Sequence, residues 1–436
     1  MKNAGVVITG LGAITPLGLT MERTWEGLCQ GRCGISQIKA FDPVGFTCKI
    51  AGEVPEFKIR DYIPKSLRKT AKLMSRDIEL AIVAAGEAFR SSGLVTKGFD
   101  EENVTLNSAR TAINIGAGLI SCDLVELAPA VAKSITDGKF DIRKWGKDGL
   151  EAVTPLWLLK YLPNMLACHV GIIHDIQGPS NTITCAEAAG QLAIGEAAQV
   201  IMRGDADVAL AGGGESKVNP IVMLRQCMLK RATENNDEPE KSCRPFDSKA
   251  SGSVFGEAAA MVVLEKAESA KVRGANIYAQ IAGFGQSNSL NPKYERLEAD
   301  GKGLQIAVEK ALKEAGIKAD ELDLIIPHGT GIPEDDRAEA IALQNVLGDA
   351  VGKVPVLPTK SMLSNAGAAA GALDVVIAAM AMKTGKIPAA KNCEQKSDWC
   401  KLNINAAEQN KYIRYALCCS YTYGGQTAAI VLKKVE

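Results

Sequence analysis

The chain holds only three histidines and few aromatic residues (5%), and it carries no net charge, with 50 Lys plus Arg against 50 Asp plus Glu. A neutral chain has no overall field to gather nucleic acid or anionic lipid, so partners must be recognised locally. No CxxC pair and no Cys/His cluster of zinc spacing occurs, which removes the usual metal frameworks; no metal site is expected. The twelve cysteines are scattered, two of them adjacent at Cys418 and Cys419, in apolar segments such as LACHV and YALCCSY. That distribution reads as reduced, buried thiols in a cytoplasmic protein, not as a disulfide framework. No membrane anchor is expected either. The most apolar late segment, 366–382, carries Asp374 and is slightly short for a bilayer, and Gly10, Gly12 and Pro16 interrupt the apolar N-terminal run as a strand entering a turn would.

What is present is a large core. With 436 residues and 47% hydrophobic content, the chain is long enough for two domains or one large α/β unit with internal symmetry. Strand-like runs near residues 8, 115, 183, 210 and 262 alternate with helical stretches, the pattern of βαβ layering. After the helical AESAKVRG the order restarts, with strands in IYAQIAGFG, LDLIIPHG, VPVLPTK, YALCCSYTY and AAIVLKK and helices near 303–315, 336–347 and 365–384. This weak duplication predicts two similarly folded halves, 1–265 and 266–436, about a pseudo-twofold axis. A segment at about 123–163 has no counterpart in the second half and reads as an inserted helical cap.

Two predicted helices, 188–203 and 366–382, are apolar nearly all round and so belong to the interior. Their N-termini, at Glu187 and Asn365, then point into the molecule. In the first, Gln191, Glu196, Gln199 and Arg203 form the only polar face. The stretch GPSNTITCAEAAGQLAIG, 178–195, therefore runs from a strand through a sharp turn into a buried helix, with Cys185 in the strand and Glu187 at the turn. The glycine turn GLGAITPLG lacks the third glycine of a dinucleotide-binding fingerprint, Thr15 standing there instead. In PHGTGIPEDDRAEA, His328 lies at a strand end, where loops present chemistry, whereas His169 and His174 read as structural. Lys360 and Asn365 occupy in the second half the junction that Glu187 occupies in the first.

In order and spacing, VVITGLGAITPLG, TWEGLCQGRCGIS, GDADVALAGG, RPFDSKASGSVFGEAAAMVVLE, HGTGIPEDDRAEA, TKSMLSNAGAAAGALD and YTYGGQTAAIVL resemble the motifs of elongating β-ketoacyl-acyl carrier protein synthases over nearly the whole chain. The resemblance implies a thiolase-like layered αβαβα fold built from two pseudo-symmetric halves, and a dimer formed through the strand near Ile183. In that family a cysteine at the first buried helix takes the acyl chain as a thioester, and two histidines then bind the malonyl thioester and stabilise its enolate. By ungapped counting the nucleophile position falls on Glu187, the first histidine on His328, the lysine on Lys360, and the second histidine position on Asn365. The resemblance further implies that Thr330 contacts the phosphopantetheine arm of a carrier protein and that Ile332 replaces a second threonine there. Tyr423, before Gly424, stands at the gating phenylalanine, with Thr422 at a glycine position, and the N–H groups of Tyr423 and Glu187 stand where the oxyanion hole forms.

A carboxylate cannot serve as a thiolate does, since an acyl anhydride is far more labile than a thioester. Three functions fit. The first is a chain-length-factor-like subunit of type II fatty acid or polyketide biosynthesis, partnered with an acyl carrier protein and an intact synthase as heterodimer, or with itself as homodimer. The second is a malonyl-carrier protein decarboxylase producing starter units, which requires Glu187 to be protonated. The third is a condensing acyltransferase using Cys185 or an atypical site. None calls for a cofactor beyond the carrier's phosphopantetheine, nor for nucleic acid or membrane.

Overall fold

A computed structural model describes residues 5–291 and 296–436. Eleven strands form the main sheet: β1 (Val6–Ile14), β2 (Thr111–Ala117), β3 (Ser180–Ile183), β4 (Val208–Ser216), β5 (Glu257–Lys266), β6 (Ala279–Asn288), β7 (Leu324–Ile326), β8 (Pro355–Val356), β9 (Asn403–Ile404), β10 (Tyr415–Tyr421) and β11 (Gln426–Lys433). Their spatial order is 9-8-7-10-11-6-1-5-4-2-3. Reading outward from the antiparallel β1–β6 seam, each half repeats one pattern. β1, β5, β4, β2 and β3 pair antiparallel, antiparallel, parallel and parallel, and so do β6, β11, β10, β7 and β8. The fold is the thiolase-like arrangement of two pseudo-symmetric halves.

The helices that matter to the site are α1 (Arg76–Ser92), α2 (Leu124–Lys133), α3 (Met165–His174), α4 (Ala189–Met202), α5 (Lys302–Ala315), α6 (Pro333–Leu347) and α7 (Ala370–Thr384). Local rules set their ends. α1 carries Asp77 and Glu79 in its first turn, which favours the positive end of the helix dipole, and stops at Gly93 with φ 73. α4 and α7 pack against each other and on the inner faces of both halves, α1 covers the outer face of the first half, and α5 with α6 covers that of the second. The two inner helices meet so closely that a Cβ on Gly190 would lie 2.7 Å from the carbonyl of Ala368. Glycine is needed there for the two N-termini to converge.

The stretch Gly367–Thr384 is apolar and long enough to cross a membrane, but 83% of it is buried inside the protein. The segment 123–163 holds α2, a short hairpin of Ile135–Thr136 with Lys139–Phe140, and several single turns. His174 is the last residue of α3 and not part of the following turn; buried, with Phe89 against its ring and Thr96 Oγ1 2.7 Å from Nδ1, it is structural. The polar face of α4 divides along its length. Gln191 is fully buried, and a side chain at Gly371 in α7 would touch it and Ser420, whereas Glu196 and Arg203 reach solvent and pair at 3.2 Å.

Candidate active site

Strand β3 ends at Ile183, so Cys185 lies not inside the strand but two residues beyond it, opening the single turn Ala186–Ala188 that leads into α4. Ala186 takes φ 41, a left-handed conformation that a residue bearing a Cβ keeps only where its surroundings enforce it. That bend turns Glu187 inward. Glu187 is buried, and Cys185 is half-buried with burial raising its thiol pKa, which leaves it a neutral thiol and a poor nucleophile.

Burial alone would raise the Glu187 pKa, yet Lys217 and Arg231, the residue's own backbone N–H and the Thr422 hydroxyl together pull it below the usual carboxylate range. Glu187 is therefore an anion. Neither Lys217 nor Arg231 stood out in the sequence, where SKVNP and LKRAT look like ordinary polar loops.

Lys217 lies almost fully buried 3.0 Å from Glu215, and Glu215 in turn accepts the Ala368 N–H at 2.7 Å. Glu187 at one inner helix and Glu215 at the other thus hold the two converging N-termini, with Lys217 charge-coupled to both. Gly367, φ 55, leaves room for this: a Cβ there would strike the Glu215 carboxylate and Lys217. Arg231, also buried, pairs with Asp335 at 2.7 Å and lies 4.7 Å from the centre of the Tyr423 ring.

The remaining expected residues fall around this cluster. Asn365 is buried; its Oδ1 accepts the Gly367 N–H at 3.0 Å, while its Nδ2 has no partner. His328 packs edge-on to Tyr421, ring centres 4.5 Å apart, and its Nδ1 has no partner. Burial, then the positive charges of Lys360 and Arg231, hold His328 well below its ordinary pKa, so it is neutral. Its backbone N–H and that of Gly329 donate to Glu339 at 2.7 and 2.8 Å, which fixes the loop. Lys360 is tied to Asp374 at 3.1 Å at the head of α7, a positioning arrangement in which the amine bonds a carboxylate and not a substrate. Thr330 departs from expectation. It is fully buried, and its hydroxyl donates to Asp336 at 3.0 Å and accepts from Ile332 N–H at 3.1 Å, because Asp336 gathers this turn's donors. Ile332 and Tyr423, with Arg231, Arg296, Glu334 and Asp335, line a cleft of about 400 Å³; Gly424 is half-buried beside Tyr423.

The charge chain continues through the sheet to Asp77, whose carboxylate accepts the Ser216 N–H at 3.0 Å. Burial, then the nearby Glu215, raises its pKa to about 7. A raised folded-state pKa gives stability that is complete below the unfolded value of about 3.9 and lost as pH rises through about 7. Urea midpoints should therefore fall between about pH 4 and about pH 7, and Asp77→Asn, which keeps an acceptor for Ser216, should flatten that part of the profile; an unchanged slope would refute the assignment.

Comparison with known proteins identifies the family. The model for the beta-ketoacyl synthase N-terminal domain matches residues 3–270, and that for its C-terminal domain matches 278–394. The 3-oxoacyl-[acyl-carrier-protein] synthase 2 of Vibrio cholerae serotype O1 is 33% identical over 438 residues, with both chains covered in full. Among solved structures, the ishigamide ketosynthase/chain length factor superposes with a TM-score of 0.83 at 26% identity, covering 99% of each chain. A beta-ketoacyl synthase from Burkholderia phymatum STM815 gives 0.85 at 25%, covering 99% of this chain and all of that one.

Proposed function

Since the chain belongs to the beta-ketoacyl synthase family, we propose that it is a non-condensing, chain-length-factor-like subunit that works beside an intact synthase on substrates borne by an acyl carrier protein. The observation that carries this reading is Glu187, a buried carboxylate at the head of α4 where the family presents its thiol, with the charges of Lys217 and Arg231 favouring its ionised form. Such a carboxylate cannot take an acyl group, and its negative charge repels a malonyl carboxylate, which disfavours a decarboxylase. Cys185 offers no substitute, being a neutral thiol outside the cluster. The two halves, 1–265 and 266–436, act as one scaffold, with 123–163 forming a cap at the subunit interface. The phosphopantetheine arrives on the carrier, the chain needs no cofactor, nucleic acid or membrane of its own, and the protein works in the cytoplasm.

The subunit contact we assign to β3. This strand ends the sheet, its residues are exposed or half-buried, and the Thr182 N–H is met only by the Asn181 side chain at 2.9 Å. That N–H faces the open edge, ready for a second strand. Thr182→Pro removes it without touching the pairing with β2. The test is reconstitution of an intact synthase with carrier protein, with and without this chain. The native chain should co-sediment with the synthase and alter its output; Thr182→Pro should do neither while keeping its melting temperature. Condensation by this chain alone, or equal output with and without it, would refute the reading.

A further inference from the structure

Arg231 lines the cleft beside Tyr423, and its positive charge acts on the buried Glu187 and His328. It is braced by a 2.7 Å ion pair to Asp335 and by its position 4.7 Å from the Tyr423 ring centre, and the side chain is 7% exposed. A planar, permanently charged group so held is a stiff obstacle, because moving it breaks a buried ion pair and a cation–π contact together.

We propose that Arg231 is a specificity-determining bolt: it closes the cleft against a thiol-terminated carrier arm while leaving the buried site intact behind it. This deepens the partner-subunit reading and rests on it for the identity of the excluded group. It adds that the site is shut by a side chain, and not merely stripped of its nucleophile. Loss of the thiol would by itself allow carrier arms to enter unproductively and to compete with delivery to the synthase. A bolt prevents that competition, and it makes Arg231, absent from the sequence-level site, as decisive as Glu187.

The test uses small thiol reagents and no carrier, so that its failure is distinct from failure of the reconstitution above. Glu187→Cys places a thiol behind the bolt, and Thr422→Cys, a substitution of similar size whose parent hydroxyl favours the charged form of Glu187, is a second reporter that keeps the native carboxylate. Each is treated with methyl methanethiosulfonate and with a maleimide bearing a pantetheine tail, and labelling is read by peptide mass against the exposed Cys168. With Arg231 present, the small reagent should label the reporter while the tailed maleimide labels it far more slowly than Cys168. Arg231→Ala combined with Asp335→Asn, which removes the ion pair as a unit, should accelerate the tailed reagent about tenfold or more, the change expected when a closed state loses roughly 1.4 kcal/mol of bias. Equal labelling of reporter and Cys168 by the tailed reagent with Arg231 in place would overturn the proposal. So would slow labelling that persists after the double substitution, or failure of the small reagent at both reporters in folded protein.

Discussion

Lys217→Met should be among the most damaging single substitutions in the chain, lowering stability by about 3–5 kcal/mol, the usual cost of stripping one partner from a buried ionic cluster. The reason is that Lys217 serves two carboxylates. Glu215 contacts its amine at 3.0 Å and Glu187 couples to it electrostatically, and each carboxylate stands at the head of one inner helix. Methionine fills the volume but leaves two buried anions facing each other across the place where α4 and α7 converge. Glu187→Gln should restore part of the loss, since an amide needs no countercharge, whereas Glu215 keeps the Ala368 N–H in either background. Urea unfolding of the two single variants and the double variant gives the coupling, expected at about 1–3 kcal/mol. A loss below about 1 kcal/mol with no coupling would mean that the carboxylates do not depend on Lys217.

The second large effect concerns chemistry regained. Glu187→Cys puts a thiol at a helix N-terminus between two cations, conditions that favour thiolate. Behind the Arg231 bolt that thiol should nonetheless stay free of carrier-borne acyl groups. Opened by Arg231→Ala with Asp335→Asn, the same variant should be acylated, though it should condense slowly. Asn365 supplies one amide donor where elongating synthases have a histidine, and loss of a transition-state donor costs about 10²–10³ in rate. Adding Asn365→His to the opened variant should therefore raise condensation by about that factor. Product formation from acyl- and malonyl-carrier protein decides it, and equal rates with Asn365 or His at this position would show that the second donor has no role in this scaffold.

Much of the architecture was legible in the sequence because hydrophobic period and chain order are local properties. Alternating strands and helices, the restart after 265 and the two all-apolar helices translate directly into the matched halves around the β1–β6 seam. Glu187, His328, Lys360 and Asn365 could be placed from their strand-to-helix junctions, and the fold puts them around one buried cluster. The rest depended on contacts between distant segments. Lys217 and Arg231 sit in sequences that read as surface loops, and only the fold carries them inward to Glu187. Whether Glu187 is charged could not be read without them, because a helix N-terminus and burial push a carboxylate in opposite directions. Gln191 misled for the converse reason: a polar side chain aligned with Glu196 and Gln199 on α4 is buried by a helix more than 170 residues away. Thr330 has the residue type for a substrate contact, but Asp336 takes its hydroxyl.

The most direct measurement is the intact mass of the native chain after incubation with acyl- and malonyl-carrier protein, alone and together with an intact synthase. Glu187 held as an anion at the nucleophile position requires that this chain stay unmodified in both mixtures while a hydroxylamine-labile acyl adduct builds on the synthase. A hydroxylamine-labile mass increase on this chain, mapped to Glu187 or lost on Cys185→Ala, would contradict it.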